Sequence, residues 1–551
     1  MKSKRIIMTL CLIMITFLLY GCSHPQSEEA ELSAKATLEQ VYSEADIRKQ
    51  AILNSSTDIV LSDAFIKGET YTGTAYYVSN SGDDRNNGMS PKAPFATVSP
   101  FDEIELHYGD AVFFERGSCW RAMTLPWSIL GTEGVTISAY GEGEKPKFYG
   151  SIENGSGAEK WALAYEDTDG KKIWRYYKDM TEVATIVLNG EEVVKRDIAY
   201  WNGDNYLEMD ENYELTGSNY SVEADLKNMW CFPYLEYTRE NYEAFGERIF
   251  VSWDEATGES EYIMGSLYFR CDAGNPGELY EDIEFIQPYP LVDGFADSMV
   301  FDNLCIMYSS MTFTSGGTHE GPNNNGVIQN CEVGWMGGNV AGYVTGAESG
   351  DTRIELNYGL FGRNGGCISI NGSGFVVQNN YVHHSFQEGI AAETFIGDPA
   401  MTDNYIAGNL VENCQQAILL CNWDMEVISD RMFRNITFED NIVIDTGKQN
   451  FFNSAWETIM CEAFVLQGGP CAHDGTVVVR NNTFALSVAP LIQIEQYTDT
   501  YSKIFDGNTY IQYKNGDGII VWNSDDYATY ALDNHVTQLL GDDNAIVAIV
   551  P

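Results

Sequence analysis

Through the second half of the chain, short apolar runs meet an asparagine again and again. In order these are Phe301-Asp302-Asn303-Leu304, Ile328-Gln329-Asn330-Cys331, Val377-Gln378-Asn379-Asn380, Ala407-Gly408-Asn409-Leu410, Glu439-Asp440-Asn441-Ile442, Val479-Arg480-Asn481-Asn482 and Phe505-Asp506-Gly507-Asn508. With Asn303, Asn330, Asn380, Asn409, Asn441, Asn482 and Asn508 as marks, the steps are 27, 50, 29, 32, 41 and 26 residues. The 50-residue step divides into 27 and 23 if Asn357 supplies a missing rung. One strand and one turn Asn per period of this length predicts stacked coils, with the longer steps as loops inserted into single coils. Asn tolerates the left-handed conformation of a tight corner. Like residues stacked about 4.8 Å apart can also share amide hydrogen bonds up the stack. The L-x-x-L-x-L frame of a leucine-rich repeat is absent.

A second alignment predicts which way side chains point. In Ile368-Ser-Ile-Asn371, Ile390-Ala-Ala-Glu393, Ile418-Leu-Leu-Cys421, Phe464-Val-Leu-Gln467 and Ile492-Gln-Ile-Glu495, the first and third positions are apolar. Alternation along a strand sends those two inward and the second and fourth outward. Five coils then present a column of Asn371, Glu393, Cys421, Gln467 and Glu495. Two positions before each aligned start lie Gly366, Glu388, Gln416, Glu462 and Pro490. The pattern predicts a polar face richest near Glu388 and Glu393.

The Asn marks stop between Gly150 and about Phe285, where Trp, Tyr and alternating strands such as Thr185-Ile-Val-Leu-Asn-Gly take over. This reads as an inserted β-sandwich-like domain. At the N-terminus, Lys2, Lys4 and Arg5 precede an apolar run from Ile6 to Leu19 and then Leu19-Tyr20-Gly21-Cys22. The run is short for a membrane span and has the layout of a secretory signal. The Cys at its end resembles a bacterial lipobox, which implies lipidation of Cys22 and attachment of the exported protein to a membrane or cell surface. The polar stretch that follows, with a helix over Ala30–Leu53, reads as a tether that lifts the body off the membrane. The expected divisions are a signal peptide at 1–22, the tether at 23–65, first coils at 66–150, the insertion at 151–285, the main solenoid at 286–515, and a cap of strand and helix at 516–551.

Charge narrows the partners. Asp and Glu total 80 against 32 Lys and Arg, a formal charge of −48. That field repels polyphosphate and excludes nucleic acid as a natural partner. It favours a neutral or weakly charged glycan and leaves room for Ca²⁺. Asp83-Asp84-Arg85-Asn-Asn-Gly88 hints at a Ca²⁺ loop, but Arg85 stands at the third ligand position, and a Gly/Asn-rich turn is the simpler reading. No CxxC or Cys/His cluster has metal-binding spacing, so no metal ligands are assigned. Cys305, Cys331, Cys367, Cys414, Cys421 and Cys461 lie in or beside apolar runs and read as small buried hydrophobes. A monomer is expected.

Tyr76-Tyr-Val-Ser-Asn-Ser-Gly-Asp-Asp-Arg-Asn-Asn-Gly88-Met-Ser-Pro91-Lys-Ala-Pro94-Phe-Ala-Thr-Val98 resembles the opening of many bacterial β-helix proteins of the pectate-lyase-like superfamily. Gly109-Asp-Ala-Val-Phe-Phe-Glu-Arg-Gly117 and Val135-Thr-Ile-Ser-Ala-Tyr-Gly141 are similar to their next two strands. Leu267-Tyr-Phe-Arg-Cys-Asp-Ala-Gly-Asn275-Pro-Gly-Glu-Leu-Tyr280 and Cys331-Glu-Val-Gly-Trp335-Met-Gly-Gly338 resemble segments of right-handed parallel β-helix repeat lipoproteins. The resemblance implies an all-β right-handed parallel β-helix over most of Thr72–Tyr510. It leaves chemistry open, because that superfamily holds hydrolases, lyases, epimerases and proteins without catalysis. Its polygalacturonase type implies NTD, DD and GHG on consecutive coils, and Met299–Tyr513 contains none of them.

A glycosidase needs two carboxylates, about 5 Å apart for retention or about 6.5–9.5 Å for inversion. The catalytic candidates are Glu388 with Glu393, then Asp424, Glu332 and Glu348. Trp335, Tyr343, Tyr358 and Trp423 are candidate sugar-stacking aromatics. Arg363, Asn371, His384 and Gln467 are the polar candidates for substrate binding. Three functions remain open at this stage: a surface glycoside hydrolase, a polysaccharide lyase, and a non-catalytic glycan-binding or adhesion protein.

Overall fold

The computed structural model describes residues 25–55 and 73–193 (single positions at 167, 169, 171, 179 and 181–182 excepted), short strands between 207 and 261, and 267–551. Within 267–551 it leaves out 311, 316–322, 341–362 (apart from strands at 344–345 and 355–356), 396–397, 423–432, 449–460, 469–475, 496–501, 515–519, 525–526 and 532–539.

Among the described residues, two long sheets run from the first coils to the last, and a third joins them from Phe313 on. The first has ten strands from Ala75–Val78 to Ser502–Asp506, and the second ten from Cys119–Arg121 to Ile546–Val550. The third has eight, from Phe313–Thr314 to Tyr527–Ala531. Neighbouring strands pair parallel and in register, as Val327↔Val376, Val376↔Tyr405 and Tyr405↔Thr437 do. Only the last strand of the third sheet, Tyr527–Ala531, joins its sheet antiparallel. From Phe313 on, successive turns of chain give one strand to each sheet, which is a solenoid-like all-β architecture. One continuous apolar core fills it, from Tyr76 and Phe101 through Phe301, Phe375 and Phe464 to Tyr510.

The asparagines do what stacking predicts. Asn380 Nδ2 donates to Asn409 Oδ1 at 3.0 Å, Asn409 to Asn441 at 2.9 Å, Asn441 to Asn482 at 2.9 Å and Asn482 to Asn508 at 3.1 Å. Asp542 closes the series by accepting from Asn508 Nδ2 at 2.9 Å. Each of these Asn side chains is at most 1% exposed. The residue before each of them takes the left-handed corner: Asn379, Gly408, Asp440, Asn481 and Gly507 all have φ between 52° and 68°. Asn303 and Asn330 belong to this corner column, with φ 59° and 53°. Cys331 therefore stands where the ladder would continue, and its backbone N–H donates to Asn380 Oδ1 at 2.9 Å.

Two expectations are corrected by register. Val327–Gln329 pairs directly with Val376–Gln378, so no rung lies between them, and the long step is one coil with a long loop. Asn357, expected as the missing rung, lies outside the described residues. The N-terminal helix is also not a free tether. Helix α1, Pro25–Leu53, lies along the second sheet. Ala34, Leu38, Val41, Ala45 and Ile52 recur at steps of three, four and seven residues, which places them on one face. They pack on Tyr381, Leu410, Ile442, Ile511 and Ala548.

The insertion is visible in the pairing. Thr136 pairs with Val300 and Lys147 with Cys305, so consecutive rungs are separated by more than 140 residues of sequence. The described part of that segment forms antiparallel strands, among them Trp161–Glu166, Lys172–Tyr176 and Tyr268–Cys271. Arg121 ties it to the coils by donating to both carboxylate oxygens of Glu284, at 2.7 and 2.6 Å. At the C-terminal end, Ile546–Val550 adds a further rung to the second sheet, and residues 532–539 of the expected cap lie outside the described ones.

Candidate active site

The third sheet carries the Glu388 column. Its strands are Ile368–Ile370, Glu388–Thr394, Gln416–Asn422, Phe464–Gly468 and Ile492–Glu495. Ile390, Ala392, Ile418, Leu420, Phe464 and Leu466 enter the main core, while Ala391, Leu419, Cys421 and Val465 form a separate cluster on the other face. Strict alternation would then turn Glu388 inward, yet it faces away from the core. The reason is a slip of phase. Cys367 and Ile368, Ala417 and Ile418, Ala463 and Phe464, and Leu491 and Ile492 are consecutive pairs that both enter the core. Gly389 sits in the equivalent place, where a Cβ would lie 2.7 Å from Val411 Cγ1 and 3.0 Å from Cys414 Sγ. Only glycine fits there.

Glu388 stands opposite Gln416 in register, and Gln416 Nε2 donates to Glu462 Oε2 at 3.1 Å on the next coil. All three are buried, with Glu388 at 6% exposure. A Cβ on Gly366 would lie 2.5 Å from the Glu388 carbonyl oxygen, so that coil presses directly against it. Burial pushes the Glu388 carboxyl well above the ordinary carboxylate range, and the negative charge of Glu393 adds to the shift. Among the described residues no Lys, Arg or His offsets it. Glu393 is different in kind. It is partly exposed and accepts a hydrogen bond from Ser369 Oγ at 3.0 Å. One strand thus carries a desolvated carboxyl held above the ordinary range and a wetter, hydrogen-bonded one within electrostatic reach.

Around Glu393 the predicted column is partly assembled. Cys421 pairs with Glu393 and Gln467 with Cys421; Cys421 is buried and Gln467 half-buried. Asn371 is 8% exposed and donates from Nδ2 to Asp398 Oδ2 at 2.9 Å, and that same oxygen accepts the Phe395 backbone N–H at 2.7 Å. Phe395, two residues beyond Glu393, is 45% exposed. Sequence reasoning missed Ser369, Phe395 and Asp398 as site residues. Ser369 occupies an outward position of the alignment, and that was the available signal. Asp398 lies in a loop, where no period applies.

The other candidates lie elsewhere. Glu332 is on the second sheet, between Cys305 and Tyr381. Burial raises its carboxyl, but the His383 ring and Cys305 outweigh this and hold it below the ordinary value. His383 Nε2 is 3.7 Å from Glu332 Oε1, and its Nδ1 lies 2.8 Å from His384 Nδ1. The His384 ring stacks on Trp335, with centroids 3.9 Å apart. Trp335 is 2% exposed and packs with Ala184, Val187, Ile286, Tyr308 and Phe386, so it joins the coils to the insertion instead of offering a face to a sugar. Tyr308, Trp335 and His384 stack in left-handed corners, φ 63°, 53° and 52°, which bulky residues rarely adopt. Glu332, Trp335 and His384 therefore form one packed cluster separate from Glu388 and Glu393.

Arg363 lies on the short strand Arg363–Asn364, which pairs with Asn339–Val340, and its side chain is outside the described residues. Asp424, Trp423, Glu348, Tyr343 and Tyr358 are outside them as well, as is Cys22. In the suspected Ca²⁺ loop Arg85 Nε donates to Asp83 Oδ1 at 2.9 Å, while Asp84 accepts from the Ala96 and Thr97 backbones. Asp83 is engaged within the turn and Asp84 by the following segment. Among the described residues no group of three or more His, Cys, Asp or Glu is placed to hold a metal, and no helix is long and apolar enough to cross a membrane.

No protein-family model matches the sequence. Over 127 residues, 22% of this chain, it is 34% identical to a lacto-N-biosidase of Bifidobacterium longum subsp. longum, and the match spans 7% of that protein's length. Among solved structures, XylC in complex with xylose is similar at a TM-score of 0.37 and 11% identity, over 86% of this chain and 82% of that one. A protein described as a glycoside hydrolase gives 0.36 and 9%, over 87% and 96%. The GH136 lacto-N-biosidase of Eubacterium ramulus gives 0.30 and 14%, over 86% and 68%. At TM-scores below 0.5 none of these likenesses fixes an activity.

Proposed function

We propose that this protein is a carbohydrate-active enzyme, a glycoside hydrolase that uses Glu388 as general acid and Glu393 as nucleophile or base. The observation that carries the reading is the asymmetry of the two carboxyls on one strand. A glycosidic oxygen must be protonated as it leaves, which calls for a carboxyl still protonated near neutral pH. Burial shifts the Glu388 carboxyl in that direction. The second carboxyl must be reachable and oriented, and Glu393 is partly exposed and held by Ser369. The stretch of 34% identity to a lacto-N-biosidase supports the class. The formal charge of −48 favours a neutral or weakly charged glycan over a polyuronate. Phe395 offers an exposed ring, and Gln467 a half-buried amide, to a sugar lying along the column.

The test is release of new reducing ends from a panel of neutral and acidic glycans, read together with absorbance near 235 nm. Reducing ends without absorbance are expected from wild type, with Glu388→Gln and Glu393→Gln each slower by about 10²–10⁴-fold. Equal rates in the variants would remove these two residues from the chemistry. A rise at 235 nm would replace hydrolysis by elimination.

A further inference from the structure

Helix α1 reads the solenoid backwards. Tyr42 Oη donates to Asp445 at 2.9 Å, on the strand Ile442–Thr446. Arg48 donates to the Asp440 carbonyl at the turn before that strand. Seven residues after Tyr42, Lys49 reaches Glu412 at 3.5 Å and lies over the Tyr381 ring, on the two preceding rungs. Beyond the helix, Ser55 Oγ donates to Asn303 Oδ1 at 2.6 Å, and its carbonyl accepts from Arg116 at 2.8 Å. Lys145 Nζ donates to the same Ser55 Oγ at 2.7 Å. Later helix residues thus meet earlier coils. In the opposite direction the apolar face continues onto Ala485, Ile511, Ala548 and Val550, on the last three rungs of the second sheet.

The lengths agree. From Ala34 to Ser55 is about 32 Å at 1.5 Å per residue. The second sheet takes seven steps from the Cys305 strand to the Ile546 strand, about 34 Å at 4.8 Å each. The start of α1 therefore lies at the C-terminal end of the solenoid. Cys22 stands three residues before Pro25, and three residues span at most about 10 Å. The same end carries exposed apolar side chains: Val488, Ile504, Tyr513 and Ile546 on the last rungs and Leu32 on the helix, between 39% and 67% exposed.

We propose that the C-terminal end of the solenoid is the membrane-facing surface. On this account an acyl chain on Cys22, strapped down by α1, holds that end against a lipid bilayer and points the first coils and the insertion away from it. The inference rests on acylation of Cys22 and is independent of the catalytic reading. It also places Glu388 on an intermediate coil, several rungs from the lipid.

The test uses full-length, acylated protein in phosphatidylethanolamine/phosphatidylglycerol vesicles that carry a spin-labelled headgroup as a short-range quencher. A dye is attached through an unnatural amino acid at exposed Asn544, on the last turn, or at exposed Glu142, among the first coils. Quenching several-fold stronger at Asn544 than at Glu142 is expected. In Val41→Asp/Ala45→Asp, which undocks the helix, the difference should vanish while vesicle binding persists. Equal or reversed quenching in wild type would overturn the orientation. Retention of vesicle binding by Cys22→Ser, or a mature chain with no acyl mass on Cys22, would overturn the anchor.

Discussion

Asn441 is the middle of the ladder and the sharpest place to weigh it. Its Oδ1 accepts from the Asn409 backbone at 3.0 Å and from Asn409 Nδ2 at 2.9 Å. Its Nδ2 donates to the Ile406 carbonyl and to Asn482 Oδ1, both at 2.9 Å. Asn441→Ala deletes all four in a fully buried position. A typical hydrogen bond contributes about 1 kcal/mol net, and a buried group left without a partner costs about 1–3 kcal/mol. Counted either way, as four lost bonds or as an orphaned Asn409 N–H and Ile406 carbonyl, the cost is about 3–5 kcal/mol. Asn481 tests the contrast: it is exposed and takes the left-handed corner, φ 54°. Asn481→Gly should change stability by less than about 0.5 kcal/mol, and Asn481→Ala should cost about 1 kcal/mol through its backbone alone. Guanidinium unfolding gives the global figure. Because a solenoid can open locally, native-state exchange of the Asn409 amide gives the local one. A loss below about 1 kcal/mol for Asn441→Ala, with exchange of that amide unchanged, would refute the idea that the ladder is a main source of stability.

Other expectations follow from titration and packing. Because burial raises the Glu388 carboxyl, the folded state holds its proton more tightly than the unfolded chain. Its contribution to stability is complete below the ordinary glutamate pKa and is lost as pH rises through the raised one. Thermal unfolding of Glu388→Gln against wild type should therefore show a gain that grows from pH 4 to pH 8; a constant difference would contradict it. Lys145 runs the other way. Burial, helped by the charge of Arg116, lowers it from 10.5 to about 8. The unfolded chain binds the extra proton between those values, so stability from this group rises with pH across that window, and Lys145→Met should flatten the rise in wild-type unfolding curves. Trp335→Ala should cost about 3–5 kcal/mol through its emptied volume. It should leave the glycan KM of the folded enzyme unchanged, and a large rise in KM would return Trp335 to the binding site.

The coils were legible because two periods coincide in them. Core positions alternate along each strand, and an Asn recurs once per turn immediately after a left-handed corner. The half-buried Asn330 and the buried Asn380 look alike in sequence, and only strand register separates a corner from a ladder position. The missing rung at Asn357 failed for the same reason, since spacing alone cannot tell a short coil from a loop. Outward facing of Glu388 was expected from the column, yet its cause lies in the paired inward residues at 389–390 and 417–418, which break simple alternation. The depth of its burial was not legible, because the close approach of the neighbouring coil at Gly366, 22 residues away in sequence, has no local signal. The docking of α1 was hidden because its apolar face is narrow and built partly from Ala34 and Ala45. Trp335 read as a sugar platform because an aromatic near a polar column looks the same whether its far side meets water or an inserted segment.

The division of labour between Glu388 and Glu393 is tested most directly with two substrates of one sugar, a natural oligosaccharide and an aryl glycoside whose leaving group needs no proton. With the oligosaccharide both Glu388→Gln and Glu393→Gln should be slow by about 10²–10⁴-fold. With the aryl glycoside Glu388→Gln should recover most of the wild-type rate of bond cleavage, while Glu393→Gln stays slow. Equal loss on both substrates for Glu388→Gln, or full activity of Glu393→Gln on either, would contradict the assignment of acid and nucleophile or base made from their burial.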